Sequence, residues 1–267
     1  MAENCFGEPV TNETLEKMGL PETRENRAQV AMSVMYDDDR KGQATRLNNR
    51  ERSEMTENCF GEPVTNETLE KMGLPQTREN RARVAMSVMY DDDRKGQATR
   101  YVQNLKQLYG NGASTLCLLY NATGNGITYR ARKDWWNGSL YGPSNNNYPP
   151  VIFNGQWAAF LHVHDQGAAT GSVGAVVYQG TNETGSPPDL LVAWSTPWSQ
   201  VYSNTAYCQI GDTDFWAGHW DEIEQKLGST GYSWNSTAQR HVIDVQTERG
   251  TSPTFTAVIR LITSSVE

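Results

Sequence analysis

Apolar residues recur in two different rhythms along the chain, and the rhythm changes near residue 110. Before that point the spacing is helical, with apolar side chains at i, i+3, i+4, i+7 and i+8 on one face. These positions are Ala82, Ala85, Met86, Met89 and Tyr90. An acidic run at 91–93 interrupts the stripe. It resumes at Val102, Leu105 and Leu108 and ends at Gly110-Asn111-Gly112. The pattern predicts a pair of helices packed on a sheet.

Beyond residue 110 the apolar residues follow the rhythm of β-strands. Short runs rich in β-branched and aromatic residues alternate with clusters of Gly, Pro and Asn, which is typical of an antiparallel sandwich or barrel. In the last run every second position is apolar, so one face of that strand is predicted to be buried. The predicted strands are Thr115–Tyr120, Trp157–Val163, Ser172–Tyr178, Leu190–Trp194, Ala206–Ile210, His241–Val245 and Phe255–Ile262.

One further helix is predicted among these strands. Residues 214–227 place four apolar side chains on a single helical face, namely Trp216, Trp220, Ile223 and Leu227. Together the patterns predict a mainly β protein, an antiparallel β-sandwich with flanking helices and an α-helical N-terminal segment.

The start of the chain is duplicated. Residues 1–46 recur as residues 55–100, with only three differences: Ala2 against Thr56, Glu22 against Gln76, and Gln29 against Arg83. The first copy continues into a polar linker, whereas the second continues into an amphipathic segment. We therefore expect residues 1–54 to be a redundant helical leader, 55–110 the helical N-terminal segment, and 111–267 the sandwich domain.

Composition narrows the classes of partner. Among the 267 residues, 31 acidic side chains outnumber 23 basic ones, and the net charge is −8. Such a chain is a poor match for nucleic acid, which favours a basic surface. No apolar run approaches the ~18 residues of a transmembrane helix, and the first residues lack the pattern of a signal peptide. We expect a cytoplasmic protein, for which any membrane contact is peripheral rather than integral.

Candidate catalytic groups are few. His162 and His164 lie on one face of a predicted strand, as two metal ligands would. No glutamate follows them at the spacing of a cupin-like metal site, so partly buried structural histidines are the favoured interpretation. Neither GxSxG nor a phosphate-binding glycine loop occurs. The sequence predicts a protein that is not an enzyme and has neither cofactor nor metal.

Binding chemistry is better represented. The segments Trp135–Tyr141 and Trp194–Asn204 combine tryptophan and tyrosine rings with hydroxyls and amides. Aromatic faces hold quaternary ammonium groups or the apolar face of a sugar, and hydroxyls donate to phosphate or sugar oxygens. The alternative interpretation is that these rings cap the ends of the sandwich core.

Three segments resemble the 23 kDa jasmonate-induced proteins of plants. They are Tyr120–Gly124, Asn154–His162 and Gly174–Tyr178. The resemblance covers essentially all of residues 55–267 and implies a plant protein that responds to stress or defence signals.

A second resemblance, to actinoporin-like and nakanori-like lipid binders, rests on Ala169–Tyr178, Leu191–Trp198 and Tyr202–Asn204. It implies a β-sandwich flanked by helices, with a head-group pocket carried over to Val173, Ser195, Pro197 and Tyr202. Trp216 and Trp220 would replace the family's paired tyrosines on its later helix. Ser195 and Tyr202 would then bind phosphate oxygens, while Trp198, Trp216 and Trp220 would enclose a cationic or sugar head group.

The leading hypothesis is therefore a non-enzymatic plant stress protein that recognises a sphingolipid-type head group or a glycan. A pore-forming cytolysin of the same fold is the first alternative, and it requires the segment near Met55 to detach and insert. The acidic start and the absence of a basic ring around the aromatics count against it. A metal-dependent enzyme using His162 and His164 is another alternative. A storage or protein-interaction role without a pocket is the last.

Overall fold

The computed structural model describes residues 58–142, 148–182, 185–199 and 201–263. The leader predicted for residues 1–54 lies outside these residues. The described helices are α1 (Asn66–Lys71), α2 (Arg78–Ser87), α3 (Arg94–Tyr109) and α4 (Trp220–Ser229), with a short 3-10 helix at Asp91–Asp93. None of them is long and apolar enough to cross a membrane.

The described residues contain twelve strands. The first six are β1 (Cys59–Phe60), β2 (Ser114–Ala122), β3 (Ile127–Trp135), β4 (Ser139–Tyr141), β5 (Val151–Ile152) and β6 (Trp157–Val163). The others are β7 (Ser172–Gln179), β8 (Asp189–Thr196), β9 (Thr205–Gly211), β10 (Ser233–Ala238), β11 (His241–Thr247) and β12 (Thr254–Leu261).

The strands form two sheets. The first sheet has the order β1-β6-β2-β12-β11-β10, with β4 also paired to β6, and the second has the order β5-β3-β7-β8-β9. All pairs are antiparallel except β2 with β12, which run parallel. The predicted mainly β sandwich with flanking helices is confirmed, and each of the seven predicted strands is present.

The core lies between the two sheets and follows the period-two pattern of the strands. Phe160, Phe255 and Ile243 project into it from the first sheet, opposite Tyr178 and Trp194 of the second. Phe255, Ala257 and Ile259 all face this core, as their alternation predicts.

Helices α1 to α3 cover the outer face of β2 and β6. Leu69, Ala85 and Val102 pack there against Leu118 and Trp157. The guanidinium of Arg94 is also buried in this layer, and it donates to the backbone oxygen of Gly155 at 2.9 Å. Polar and apolar contacts together therefore hold the helical segment on the sheet.

Three residues of the predicted apolar stripes are exposed rather than buried. Met86, Tyr90 and Leu108 are 38%, 67% and 73% exposed, whereas Val84 is buried. Helix α2 ends at Ser87, and the acidic run that follows turns the chain, with left-handed φ angles of 51° and 53° at Asp92 and Asp93. Because α2 ends before this turn, Tyr90 does not continue its buried face.

The helix predicted for residues 214–227 begins only at Trp220. The preceding residues form turns in which Asp214 and Gly218 have φ angles of 63° and 79°. Trp216 therefore precedes the helix. Ile223 and Leu227 lie on the buried face of α4 and pack on the outer face of the second sheet.

Candidate functional site

The predicted pocket residues Val173 and Ser195 lie side by side on the second sheet. Trp135 of β3 pairs with Val173 of β7, which pairs in turn with Ser195 of β8. Val173 belongs to the apolar cluster on the outer face of this sheet, together with Trp135 and the buried residues of α4. Ser195 is half-buried. This row marks one end of the second sheet.

Trp216 and Trp220 lie together although they do not share a helix. Their ring centroids are 5.5 Å apart, and the centroid of Trp220 lies 6.1 Å from that of Trp135 in an edge arrangement. Trp216 also donates from Nε1 to a carboxylate oxygen of the buried Asp189 at 2.9 Å. Trp216 is thus fixed near the start of β8, and Trp220 extends the aromatic layer towards Trp135.

Pro197, Trp198 and Tyr202 follow β8 at its far end. Pro197 is half-buried, whereas Trp198, Val201 and Tyr202 are 45%, 86% and 68% exposed. The ring of Trp198 rests on His164, with centroids 4.9 Å apart.

The expected enclosure by three tryptophans is not formed in this structure. Asp189, which binds Trp216, and Thr196, which precedes Trp198 by two residues, are about 23 Å apart along β8. Among the described residues, the rings in contact with Trp220 are those of Trp216 and Trp135, not that of Trp198. Trp198 belongs instead with the residues at the end of the sandwich.

Trp136 belongs to the same end, although the sequence did not single it out as a ligand residue. It follows β3 in a tight turn that is closed by a 3.0 Å hydrogen bond from the Gly138 amide to the Trp135 carbonyl. Its side chain is 61% exposed. Because the end of β3 is aligned with the end of β8 through Val173, the two loops emerge together. We call Trp136, Trp198, Val201 and Tyr202 the aromatic end.

The two histidines proposed as metal ligands are both buried. His162 Nδ1 lies 2.8 Å from Ser172 Oγ, and His162 Nε2 lies 3.3 Å from Asp134 Oδ1. Burial lowers the pKa of His162, so its ring is neutral at pH 7. His164 is held by Trp198 and by the carbonyl of Ala168 at 3.3 Å. Within the described residues, no three His, Cys, Asp or Glu side chains could jointly hold a metal ion.

Ser172, His162 and Asp134 form a serine–histidine–aspartate string, but this string lies inside the sandwich. Ser172 and His162 have no exposed surface. The Ser172 hydroxyl is also bonded to Thr115, which continues to Thr196, both at 2.8 Å. A nucleophile needs access to its substrate, so this network acts as internal structure linking the two sheets.

Comparison with known proteins gives the chain a family. It matches the family described as Nakanori-like protein over residues 60–262. A 23 kDa jasmonate-induced protein of Hordeum vulgare is 38% identical over 175 residues, which cover 63% of this chain and 80% of that protein. A jasmonate-induced protein homolog of Atriplex canescens is 33% identical over 138 residues, which cover 51% of this chain and 68% of the homolog.

A solved structure agrees with these matches. The lipid binding protein Nakanori is similar to this chain with a TM-score of 0.68 at 25% sequence identity, and the alignment covers 76% of this chain and 99% of that one. Both resemblances inferred from the sequence, to jasmonate-induced proteins and to nakanori-like proteins, are confirmed. The chain belongs to the Nakanori-like family.

Proposed function

We propose that this protein is a non-enzymatic plant stress or defence protein that binds a lipid head group of the sphingolipid type at a membrane surface. The observation that carries the proposal is the aromatic end, where four large apolar side chains project beyond the strands. The lipid-binding relative of the same fold supports it.

Exposure of the aromatic end is unfavourable in water and favourable at a membrane interface. Tyr and Trp side chains partition to the head-group layer, where the ring is shielded and its polar atom stays hydrated. Transferring one such side chain gains ~25 cal/mol per Å² of apolar surface removed from water. The four residues therefore provide a peripheral attachment without a membrane-spanning segment.

The head group would bind beside this attachment. Ser195 and Tyr202 offer hydroxyl donors for phosphate or sugar oxygens, with Val173 and Pro197 as apolar contacts. Trp220 borders the same row through Trp135. Trp216 contributes by supporting Trp220, since its Nε1 is already bonded to Asp189.

The charged side chains near this end suit a zwitterionic head group. Arg132 is paired with Asp134 at 3.1 Å. Lys106 donates to the carbonyl oxygens of Gly110 and Gly112 at 2.7 and 3.0 Å. Asp134 balances the charge of Arg132, whereas the partners of Lys106 are neutral and its charge remains. Lys133 of β3 adds a second positive charge two residues before Trp135. These lysines can attract the phosphate of a zwitterionic head group. A glycan bound at the aromatic end is the alternative ligand.

The packing of the helical segment weighs against the pore-forming alternative. Insertion would require α1 to α3 to leave the first sheet, which exposes Leu69, Ala85 and Val102 and strips the buried Arg94 of its carbonyl partner. Exposing these apolar side chains and breaking the hydrogen bond of Arg94 would together cost several kcal/mol.

Co-sedimentation of the full chain with vesicles tests the proposal. The vesicles contain phosphatidylcholine and cholesterol, with or without a sphingolipid, and the wild type is compared with Tyr202→Ala. We expect pelleting that depends on the sphingolipid and falls about tenfold in the variant, because the lost ring and hydroxyl are worth one to two kcal/mol, or roughly a factor of ten.

Tyr90→Ala is the matched control. Tyr90 is 67% exposed, close to the 68% of Tyr202, but it follows α2 on the helical side. Its loss should leave pelleting unchanged. Pelleting that is absent with every lipid, or that falls equally in both variants, would contradict the proposal.

A further inference from the structure

We propose that a groove on the bare part of the first sheet is a second binding site, and that it takes an uncharged oligosaccharide. The groove has a volume of about 630 Å³, within the range of small-molecule pockets. It lies on β10, β11 and β12, whereas helices cover the same face at β2 and β6. Its lining is Ser233, Trp234, Asn235, Asp244, Val245, Gln246, Thr256 and Val258.

Strand register arranges the outward-facing members of this lining as a grid. Ser233, Gln246 and Thr256 form one row across the three strands. Asn235, Asp244 and Val258 form the next row. Rows on one face are spaced about 6.8 Å along the strands, and neighbours within a row about 4.8 Å apart. The groove thus presents a regular array of hydroxyl, amide and carboxylate groups.

The charge of the groove is close to neutral. Asp244 is the single ionisable side chain in the lining. Its Oδ2 lies 3.2 Å from Nη2 and 3.4 Å from Nε of Arg260 on the neighbouring strand. The carboxylate of Asp244 can still accept a hydrogen bond. Because Arg260 balances its charge, the pair attracts neither cations nor anions.

Hydroxyl and amide groups both donate and accept hydrogen bonds, which matches the mixed donor and acceptor hydroxyls of a sugar. Val258 provides an apolar contact for the carbon face of a sugar ring, and Trp234, 47% exposed, stands at the rim. A phosphate or carboxylate ligand would instead require a free cation. The lining therefore favours an uncharged saccharide.

The residues of strand β10 also support a binding role. Its sequence, Ser-Trp-Asn-Ser-Thr-Ala over 233–238, includes Asn235 and Ala238, residue types that are depleted in strands. Asn235 lies on the outer face with the groove, whereas Ala238 packs against the core between the sheets. The amide of Asn235 faces the groove at the centre of this edge strand.

Calorimetric titration of the full chain tests the site. The probes are neutral tri- to hexasaccharides of glucose, galactose, mannose and xylose, with an oligogalacturonate as the charged comparison. We expect at least one neutral probe to bind and the oligogalacturonate to bind at least tenfold more weakly. Asn235→Ala and Gln246→Ala should each weaken the neutral probe at least tenfold.

Thr237→Ala is the control on the same strand and face, since Thr237 is exposed and lies outside the lining. It and Tyr202→Ala should change the affinity less than twofold. The site is refuted if no neutral probe binds at millimolar concentration, or if the charged probe binds best. Loss of sugar binding in Tyr202→Ala alone would also refute it, because it would place the sugar at the aromatic end.

Discussion

Trp136 and Asn137 both hold left-handed backbone angles, with φ of 57° and 56°. With the hydrogen bond from Gly138 to Trp135 they form a two-residue turn that requires positive φ at both central positions. Such turns favour Asn and Gly, and a bulky aromatic residue there costs on the order of 1 kcal/mol. An exposed tryptophan in an unfavourable backbone conformation indicates that the side chain is kept for contact with a partner.

Trp136→Gly is therefore expected to separate stability from binding. The glycine relieves the backbone, so the free energy of unfolding should stay equal or rise by up to about 1 kcal/mol. Binding to sphingolipid vesicles should fall, because one of the four side chains of the aromatic end is gone. Urea unfolding and co-sedimentation measure the two effects. A variant that loses stability and binding together would show that the ring is structural.

His241 is a buried histidine that is kept neutral by its surroundings. Its Nε2 lies 3.0 Å from Nη2 of Arg78, which must donate, and its Nδ1 lies 2.7 Å from the carbonyl oxygen of Gln239. The second contact assigns the ring proton to Nδ1. Burial is the main reason that the pKa of His241 falls from 6.5 to about 4.

This lowered pKa makes stability dependent on pH. Below pH 6.5, His241 takes up a proton in the unfolded chain but stays neutral in the folded chain. The free energy of unfolding therefore decreases as the pH falls towards 4. The loss due to His241 is on the order of 3 kcal/mol at pH 4. Chemical unfolding of wild type and His241→Gln between pH 7 and 4 measures it, since glutamine keeps an acceptor for Arg78 without titrating. Equal slopes in the two proteins would contradict the assignment.

At the scale of elements, prediction succeeded where apolar residues dominate the strand. Strands such as β2, β6 and β7 are apolar runs, and all were predicted. Strands β3 and β10 were missed, because β3 carries Arg130, Arg132 and Lys133 and β10 is largely polar. Their sheet positions come from pairing with neighbours, which spacing along the chain does not record.

The helices and the candidate site also show that spacing along the chain does not predict tertiary arrangement. The stripe through Tyr90 failed because α2 ends at Ser87, three residues before it. The tryptophan-rich segments were identified from the sequence, but only strand register shows that Trp136 and Trp198 share an end while Trp216 lies elsewhere. Periodicity carries local information, whereas the meeting of loops depends on tertiary pairing.

Two leucines of the helical layer provide a direct test of its packing. Leu69 in α1 is fully buried and Leu108 in α3 is 73% exposed. Leu69→Ala should lower the free energy of unfolding by about 2–4 kcal/mol, through lost burial and the cavity left behind. Leu108→Ala should change it by less than about 0.5 kcal/mol. Thermal or urea unfolding of both variants measures this, and similar losses would mean that α3 packs differently.

At the scale of the whole molecule, helices cover some faces of the two sheets and leave others uncovered among the described residues. Helices α1 to α3 cover half of the outer face of the first sheet, and α4 covers part of the second. Within residues 58–263 as described, no helix covers the aromatic end or the groove on β10 to β12. In the two proposals, the lipid and the sugar therefore bind different surfaces.

Removing residues 1–54 tests the organisation proposed for the chain. Residues 58–263 already contain both sheets and all four described helices, so we expect the shortened protein to keep its Tm within about 2 °C. Differential scanning calorimetry of both lengths measures this. A fall of 5 °C or more would show that the leader stabilises the fold, and that it is not redundant.

The parallel pairing of β2 with β12 has a consequence for how the protein is made. β2 lies at the centre of the first sheet, yet one of its two neighbours is the last described strand, more than 130 positions later. Contacts so distant in sequence slow folding, since a long loop must close first. On the ribosome, β2 stays unpaired on one side until β12 has been synthesised. Because an unpaired strand edge is prone to aggregation, we expect chaperones to bind the nascent chain until β12 pairs with β2.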